Sequence, residues 1–409
     1  MPVPKYPTDD NTRLSFWEIF RLFFILGCTS FGGPVAHLGY FREEFVNRRK
    51  WLSDAAYADL LVFCQFLPGP ASSQAGMAIG LTKGGYGGMV AAWLGFTLPS
   101  ALLMFLFAYG VLNFADLGGS GWITGLKTAT VAIVAHALGG MASSLASGPR
   151  TATIAVLSMC VVFMISGAVG QVLAIVLGGL IGLIWLRQTK GANSSETSAP
   201  EKLGHTGKMA TSVLCLAVFA ALLILLPLLA ATTRAPEIEL LDSFYRSGSL
   251  VFGGGHVVLP LLQAEMVDSG LVGTDDFLAG YGLAQAVPGP LFTFASYLGT
   301  IAAPSASPVL GALIATVGIF LSSFLLVLGG LPLWNRIRTA EHARNAMKGI
   351  NAAVVGLLAA VFYDPVFTAT ITGYKPFLGA VTAYLLLRYW KIPPWALIGL
   401  AAVAGYFLF

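Results

Sequence analysis

The sequence predicts an all-α polytopic membrane protein made of two inverted-topology repeats with broken, re-entrant helices. Three observations carry this: an apolar composition, a duplicated set of glycine and proline motifs, and opposite charge in equivalent loops. Of 409 residues, 56% are hydrophobic and 10% charged, with a mean hydropathy of +0.78. That is too little polar surface to coat a water-soluble globule, so lipid must solvate the chain. At about 20 residues per crossing, a dozen or so apolar segments fit.

The repeat is read from motifs in matching order. Phe31-Gly32-Gly33-Pro34 is followed by Gln65-Phe66-Leu67-Pro68-Gly69-Pro70, and Phe252-Gly253-Gly254-Gly255 by Gln285-Ala286-Val287-Pro288-Gly289-Pro290. Glu44 then corresponds to Glu265, and Gly88 and Gly95 to Gly311 and Gly318. The loop between the motifs is basic in the first half (Arg42, Arg48, Arg49, Lys50) and acidic in the second (Glu265, Asp268, Asp275, Asp276). The positive-inside rule puts these loops on opposite faces, the basic one cytoplasmic. A second pair agrees with reversed sign, because 113–121 carries no Lys or Arg while its counterpart carries Arg336, Arg338, Arg344 and Lys348.

The chain divides into elements as its charge and apolar runs dictate. Residues 1–13 form a polar tail that reads as retained, since Glu18 and Arg21 interrupt the first apolar stretch as no cleaved signal would. Residues 14–187 form the first repeat. Its segment 55–80 must return to the face it left, and about 26 residues cannot make two spans, so a hairpin broken at Pro68-Gly69-Pro70 is expected. The Phe-Gly-Gly segments break similarly, and spans come next at 88–112, 123–146, 151–165 and 168–186. Residues 188–208 are a polar cytoplasmic linker, and 209–230 an unpartnered helix that inverts the second repeat. Residues 236–409 form that second repeat. This path has about nine full spans and four re-entrant segments; counting every apolar segment as a span gives about thirteen.

Broken backbone is tolerated in a membrane only where protein buries it or a cavity solvates it, so paired breaks imply a cavity at the repeat interface. Amides freed at half-helix N-termini suit an oxyanion. Candidate binding residues are therefore Phe31, Gly32, Gly33, Pro68, Gly69 and Pro70, with Phe252, Gly253, Gly254, Pro288, Gly289 and Pro290. The alternative is that these glycines and prolines only ease packing, as in the G-x-x-x-G pair Gly76 and Gly80. Gln65 and Gln285 offer neutral amide donors or interhelical glue. Arg21 and Arg246, within apolar segments, can fork around an oxyanion; the competing readings pair Arg21 with Glu18 and let Arg246 snorkel. His37, His256 and His136 are candidate proton carriers or satisfied structural histidines, and Lys127 reads as interfacial.

Cys28, Cys64, Cys160 and Cys215 lie in apolar runs without a C-x-x-C pair, so buried free thiols are expected and no metal, cofactor or disulfide framework is. The formal charge of +4 sits in short loops, which argues against nucleic acid. No H-E-x-x-H or G-x-S-x-G occurs, so an enzyme is not expected. A channel stays open beside a transporter, because broken helices build pores as well.

The run Leu26-Gly27-Cys28-Thr29-Ser30-Phe31-Gly32-Gly33-Pro34-Val35-Ala36-His37 resembles the first signature of the chromate ion transporter family. Val251 to Pro260 is similar to its C-terminal counterpart, and both Gln-x-x-Pro-Gly-Pro motifs are present in order. The resemblance implies the two-domain, ChrA-like form: a secondary transporter that exports chromate across the bacterial inner membrane and confers resistance. It implies chromate as substrate with sulfate as competitor, the bilayer as surroundings and a homodimer as a further partner state. Sulfate or another inorganic anion is the alternative cargo.

Overall fold

The structure, a computed structural model, describes residues 13–114, 121–165, 167–186, 209–303, 307–334 and 340–408. The tail before residue 13, the 188–208 linker and the loop cations Arg336 and Arg338 lie outside the described residues. Among those described, every regular element is helical.

Helix α1 (Phe16–Thr29) begins at Ser15, whose hydroxyl accepts from the Glu18 amide while the Glu18 carboxylate accepts from the Ser15 amide. This capping box satisfies two orphan donors. It also corrects an expectation: Glu18 serves the helix start, and exposed Arg21 forms no ion pair among the described residues. The helix stops at Ser30, and Gly32 and Gly33 turn the chain with φ of +99° and +76°, open to glycine at little cost. Helix α2 (Gly33–Arg42) doubles back, so that Phe41 and Phe45 close on Phe23 with ring centroids 5.6 and 5.2 Å apart. Helix α3 (Asp54–Phe66) re-enters, breaks at 67–70, and α4 (Ala71–Phe114) returns to the start, where the Leu14 amide donates to the Lys83 carbonyl at 3.0 Å. Two broken hairpins thus enter and leave by one face.

The expected span at 88–112 is continuous with the hairpin arm. Helix α4 runs 44 residues and folds back at Gly85 (φ 65°, ψ −153°). A Cβ on Gly80 would lie 2.3 Å from the Gly88 carbonyl oxygen, and one on Gly88 as close to that of Gly80. Small residues here let the two arms meet backbone to backbone.

Helices α5 (Gly121–Leu145), α6 (Pro149–Met164), α7 (Gly167–Trp185) and α8 (Met209–Thr233) come next. The second repeat mirrors the first: α9 (Pro236–Leu250), α10 (Val258–Met266), α11 (Thr274–Ala286) and α12 (Phe294–Ile301) make its hairpins, and α13 (Pro308–Gly330), α14 (Glu341–Val361), α15 (Tyr374–Arg388) and α16 (Pro394–Leu408) complete it. Inversion is visible in contacts at the two faces. Trp334, past the end of α13, donates to Asp59 at the mouth of the first repeat's hairpin, at 3.2 Å. Lys127, at the start of α5, pairs with Asp275 at the mouth of the second repeat's hairpin, at 2.5 Å.

Among the described residues, six helices are long and apolar enough to cross a membrane: α4, α5, α7, α8, α13 and α14. Shorter apolar helices, among them α6 and α16, accompany them, and the four breaks divide the remaining path into short hairpins. The cysteines are free, as expected, but only Cys64 is buried; Cys215 is half-buried and Cys28 and Cys160 are exposed.

The repeats are intertwined. Helix α5 of the first packs on α15 and α16 of the second: a Cβ on Gly125 would lie 2.0 Å from the Ala401 carbonyl oxygen, and one on Gly379 2.9 Å from Thr128. Reciprocally α14 packs on α6 and α7, where a Cβ on Gly356 would lie 2.0 Å from the Ala155 carbonyl oxygen and one on Gly349 2.1 Å from that of Gly178.

Candidate functional site at the four helix breaks

All four breaks converge, and a reciprocal pair of hydrogen bonds joins them. The Gly69 amide donates to the Val251 carbonyl at 2.7 Å, and the Gly289 amide donates to the Ser30 carbonyl at 2.9 Å. Val251 and Ser30 are equivalent positions, each just before a Phe-Gly-Gly turn. Each Pro-Gly-Pro turn of one repeat therefore closes the end of α1 or α9 in the other. The Pro34 ring also presses on Gly255, where a Cβ would lie 2.6 Å from Pro34 Cγ, and Trp395 covers Phe31 at 5.8 Å between ring centroids.

Two serines that the sequence reading missed support these turns. A Cβ on Gly69 would lie 2.7 Å from Ser323 Oγ, and one on Gly289 2.8 Å from Ser100 Oγ. Ser100 and Ser323 share the register of Gly95 and Gly318, so the repeat offset was a signal that could have found them.

The polar groups of the junction are unevenly satisfied. Four of its carbonyls have donors: Ser30 and Val251 take the glycine amides, Pro68 takes Gln74 Nε2 at 2.6 Å, and Pro290 takes the Thr293 hydroxyl at 2.8 Å. The amides of Phe31, Gly32, Gly33, Phe252, Gly253 and Gly254 meet no protein acceptor among the described residues. Gly32 is exposed and the other five are half-buried. These bare amides let the junction offer hydrogen-bond donors without a formal charge. Gly69 and Gly289, expected among the donors, have their amides committed to joining the repeats.

The candidate side chains separate. Gln65 is exposed; Gln285 places Nε2 3.5 Å from His256 Nδ1, which lies 2.9 Å from the Tyr281 hydroxyl. His136 is exposed on α5, its ring 6.3 Å from Tyr384. His37 is fully buried against Phe96 at 5.3 Å, in the packed interior of the first hairpin. Tyr281 was not singled out by sequence, since a lone tyrosine in an apolar segment carries no pattern.

Arg246 has carboxylate partners. Its Nη2 lies 2.7 Å from Asp242 Oδ2 and 3.1 Å from Glu265 Oε2, and both acids are buried. Its charge is neutralised, and it straps α9 to α10. The first repeat has Ile25 at the equivalent position, and there Glu44 takes Arg48 and Arg49 at 2.6 Å each. Neither Arg246 nor exposed Arg21 presents a free guanidinium fork at the breaks.

Comparison with known proteins agrees with this twofold build. The sequence pattern of the family described as Chromate transporter matches residues 17–183 and again 238–406. The chain is 27% identical to a chromate transport protein of Pseudomonas aeruginosa over 88% of this chain and 85% of that one. It is 23% identical to a chromate transport protein of Cupriavidus metallidurans over 95% and 92%. An uncharacterized transporter of Methanocaldococcus jannaschii is 24% identical over 84% and 83%. No solved structure matches. Both family matches fall on the two halves whose breaks interlock here, and the chain belongs to the chromate transporter family.

Proposed function

We propose that the protein is a secondary transporter that exports chromate across a bacterial inner membrane and thereby confers chromate resistance. The observation that carries this reading is the junction of four breaks, where the bare amides of the two Phe-Gly-Gly turns gather. Oriented amides replace the hydration shell of a tetrahedral dianion without the tight hold of a buried cation, so release stays accessible. Gln285 adds a neutral side-chain donor beside them.

The direction has two supports. The basic loop marks the cytoplasmic face, and an inside-negative potential favours anion exit. Moving one charge through 100 mV is worth about 2.3 kcal/mol, so a dianion gains roughly twice that on leaving. Because α5 and α14 are each clamped by helices of the other repeat, access alternates by movement of the broken hairpins against this interlocked frame. Two sequence repeats rocking as separate bodies would pull those clamps apart. Proton coupling through His256 or His136 and a homodimeric state belong to the same reading.

The experiment is chromate uptake into everted vesicles from cells making the protein, with sulfate as competitor and with potential and proton gradient collapsed separately. Saturable uptake that sulfate inhibits and that falls when the potential is removed is expected. Equal uptake in vesicles lacking the protein would contradict the assignment.

A further inference from the structure

The Phe-Gly-Gly turn of the second repeat leads into a histidine held in one tautomer. His256 follows Gly255 directly, and its Nδ1 lies 2.9 Å from the hydroxyl of Tyr281, a fully buried residue of α11 whose ring packs on Phe294 at 5.8 Å. Among the described residues that hydroxyl donates to no other acceptor. A buried phenol proton needs an acceptor, so Tyr281 donates and Nδ1 accepts. Gln285 Nε2, which can only donate, faces the same nitrogen from 3.5 Å. With Nδ1 bare of hydrogen, the neutral ring carries its N–H at Nε2.

No protein acceptor among the described residues takes that N–H, and His256 is only half-buried. Its neighbours are in the same condition. The Gly253 and Gly254 amides meet no protein acceptor among the described residues. Asn351 of α14 places Oδ1 3.4 Å from where a Cβ on Gly253 would stand, and that oxygen is buried without a hydrogen-bond partner. Polar groups left open together mark a place where a polar ligand or its water completes the hydrogen bonding. The first repeat has no counterpart, because Val35 stands at the position equivalent to His256 and Leu61 at that of Tyr281.

We propose that the His256 Nε2–H is a ligand of the transported oxyanion, and that Tyr281 is the positioning residue that aims it by fixing the tautomer. Both Phe-Gly-Gly turns offer amides, and the second alone adds this side-chain donor, so the anion sits nearer the second repeat. The identity of the solute rests on the transport reading above; the tautomer rests on hydrogen bonding alone. A neutral imidazole suits a cargo that must be released, since it donates to an anion without placing a full opposite charge beside it. Holding Nδ1 as an acceptor keeps His256 neutral, which leaves proton coupling to His136.

The test reads the ring nitrogens directly. Protein carrying histidine labelled with the heavy nitrogen isotope is placed in lipid, and the signal lost in His256→Gln identifies His256 in the solid-state magnetic resonance spectrum. The Nε2–H form is expected, with a shift on adding sulfate, and Tyr281→Phe should give a mixture of the two tautomers. In everted vesicles Tyr281→Phe should raise the KM for chromate by about two- to ten-fold, the worth of one hydrogen bond. Glutamine brings an amide donor that has no tautomer to fix, so His256→Gln should keep the KM within about two-fold and Tyr281→Phe should add nothing in that background. An equal rise in both backgrounds makes Tyr281 a packing residue and overturns its positioning role. Should Tyr281→Phe fail to fold, the wild-type spectrum still decides the tautomer. A His256 signal in the Nδ1–H form, or one that sulfate leaves unmoved in protein that carries chromate, overturns the ligand and leaves the transport reading standing. A sulfate shift in protein that carries no chromate sinks the chromate reading and supports the oxyanion ligand.

Discussion

At the scale of single residues, the two Pro-Gly-Pro glycines carry more than a bend. Gly69 and Gly289 have φ of +119° and +95°, and each sits against a serine of the other repeat. Gly69→Ala and Gly289→Ala should each destabilise the protein by about 1–3 kcal/mol through backbone strain and reduce chromate uptake, as read by thermal unfolding in detergent and by vesicle flux. Arg246→Gln leaves Asp242 and Glu265 without a cation, and breaking a buried pair costs about 3–5 kcal/mol. With the Arg246 side chain 30% exposed, the lower end of that range is expected, while the KM for chromate stays within about two-fold. A large rise in KM at unchanged stability would instead make Arg246 an anion ligand. Sequence exposed the glycines as breaks because glycine and proline signal locally. It could not expose the acceptors of their amides, Val251 and Ser30, because those lie about 180 and 260 residues away along the chain. For Arg246 the limit is partial: Asp242, four residues before it, lay within reach of a helical reading, and Glu265, brought across from α10, did not.

At the scale of elements, helix crossings rest on glycines whose absent side chains are filled by backbone. A Cβ on Gly248 of α9 would lie 2.1 Å from the Ile319 carbonyl oxygen, and one on the equivalent Gly27 of α1 2.8 Å from that of Gly95. Gly248→Ala should therefore lower the yield of folded protein more than Gly27→Ala, measured by size-exclusion chromatography after solubilisation. Equal loss at both sites would show that the two crossings relax alike. Most elements were legible, since 20-residue apolar runs and flanking polar loops mark α5, α7 and α8 to within a few residues. The join of hairpin and span in α4 was not, because a helix that folds at Gly85 keeps the same apolar composition on both sides of the fold. The hairpins were legible only indirectly, through the charges of the loops that flank them.

At the scale of the whole molecule, interlocking of α5 with α15 and α16, and of α14 with α6 and α7, makes the two repeats one frame around the breaks. A protease site placed in the 188–208 linker tests this: after cleavage both halves should elute together in mild detergent, and separation would contradict the interlock. Inversion was legible from loop charge, yet the exchange of partners was not, because glycine-rich faces announce a close approach without naming the neighbour. The central claim is that the bare amides of the two Phe-Gly-Gly turns hold the oxyanion. It is tested most directly by the KM for chromate uptake in everted vesicles carrying Gly33→Ala or Gly254→Ala. Both positions have open space for a Cβ, with φ of +76° and +138°, so the substitution chiefly redirects the amides. Loss of one hydrogen bond to a charged group is worth about 1.5–3 kcal/mol, which predicts a rise in KM of about ten-fold or more with the protein still folded. An unchanged KM in both folded variants would contradict the account.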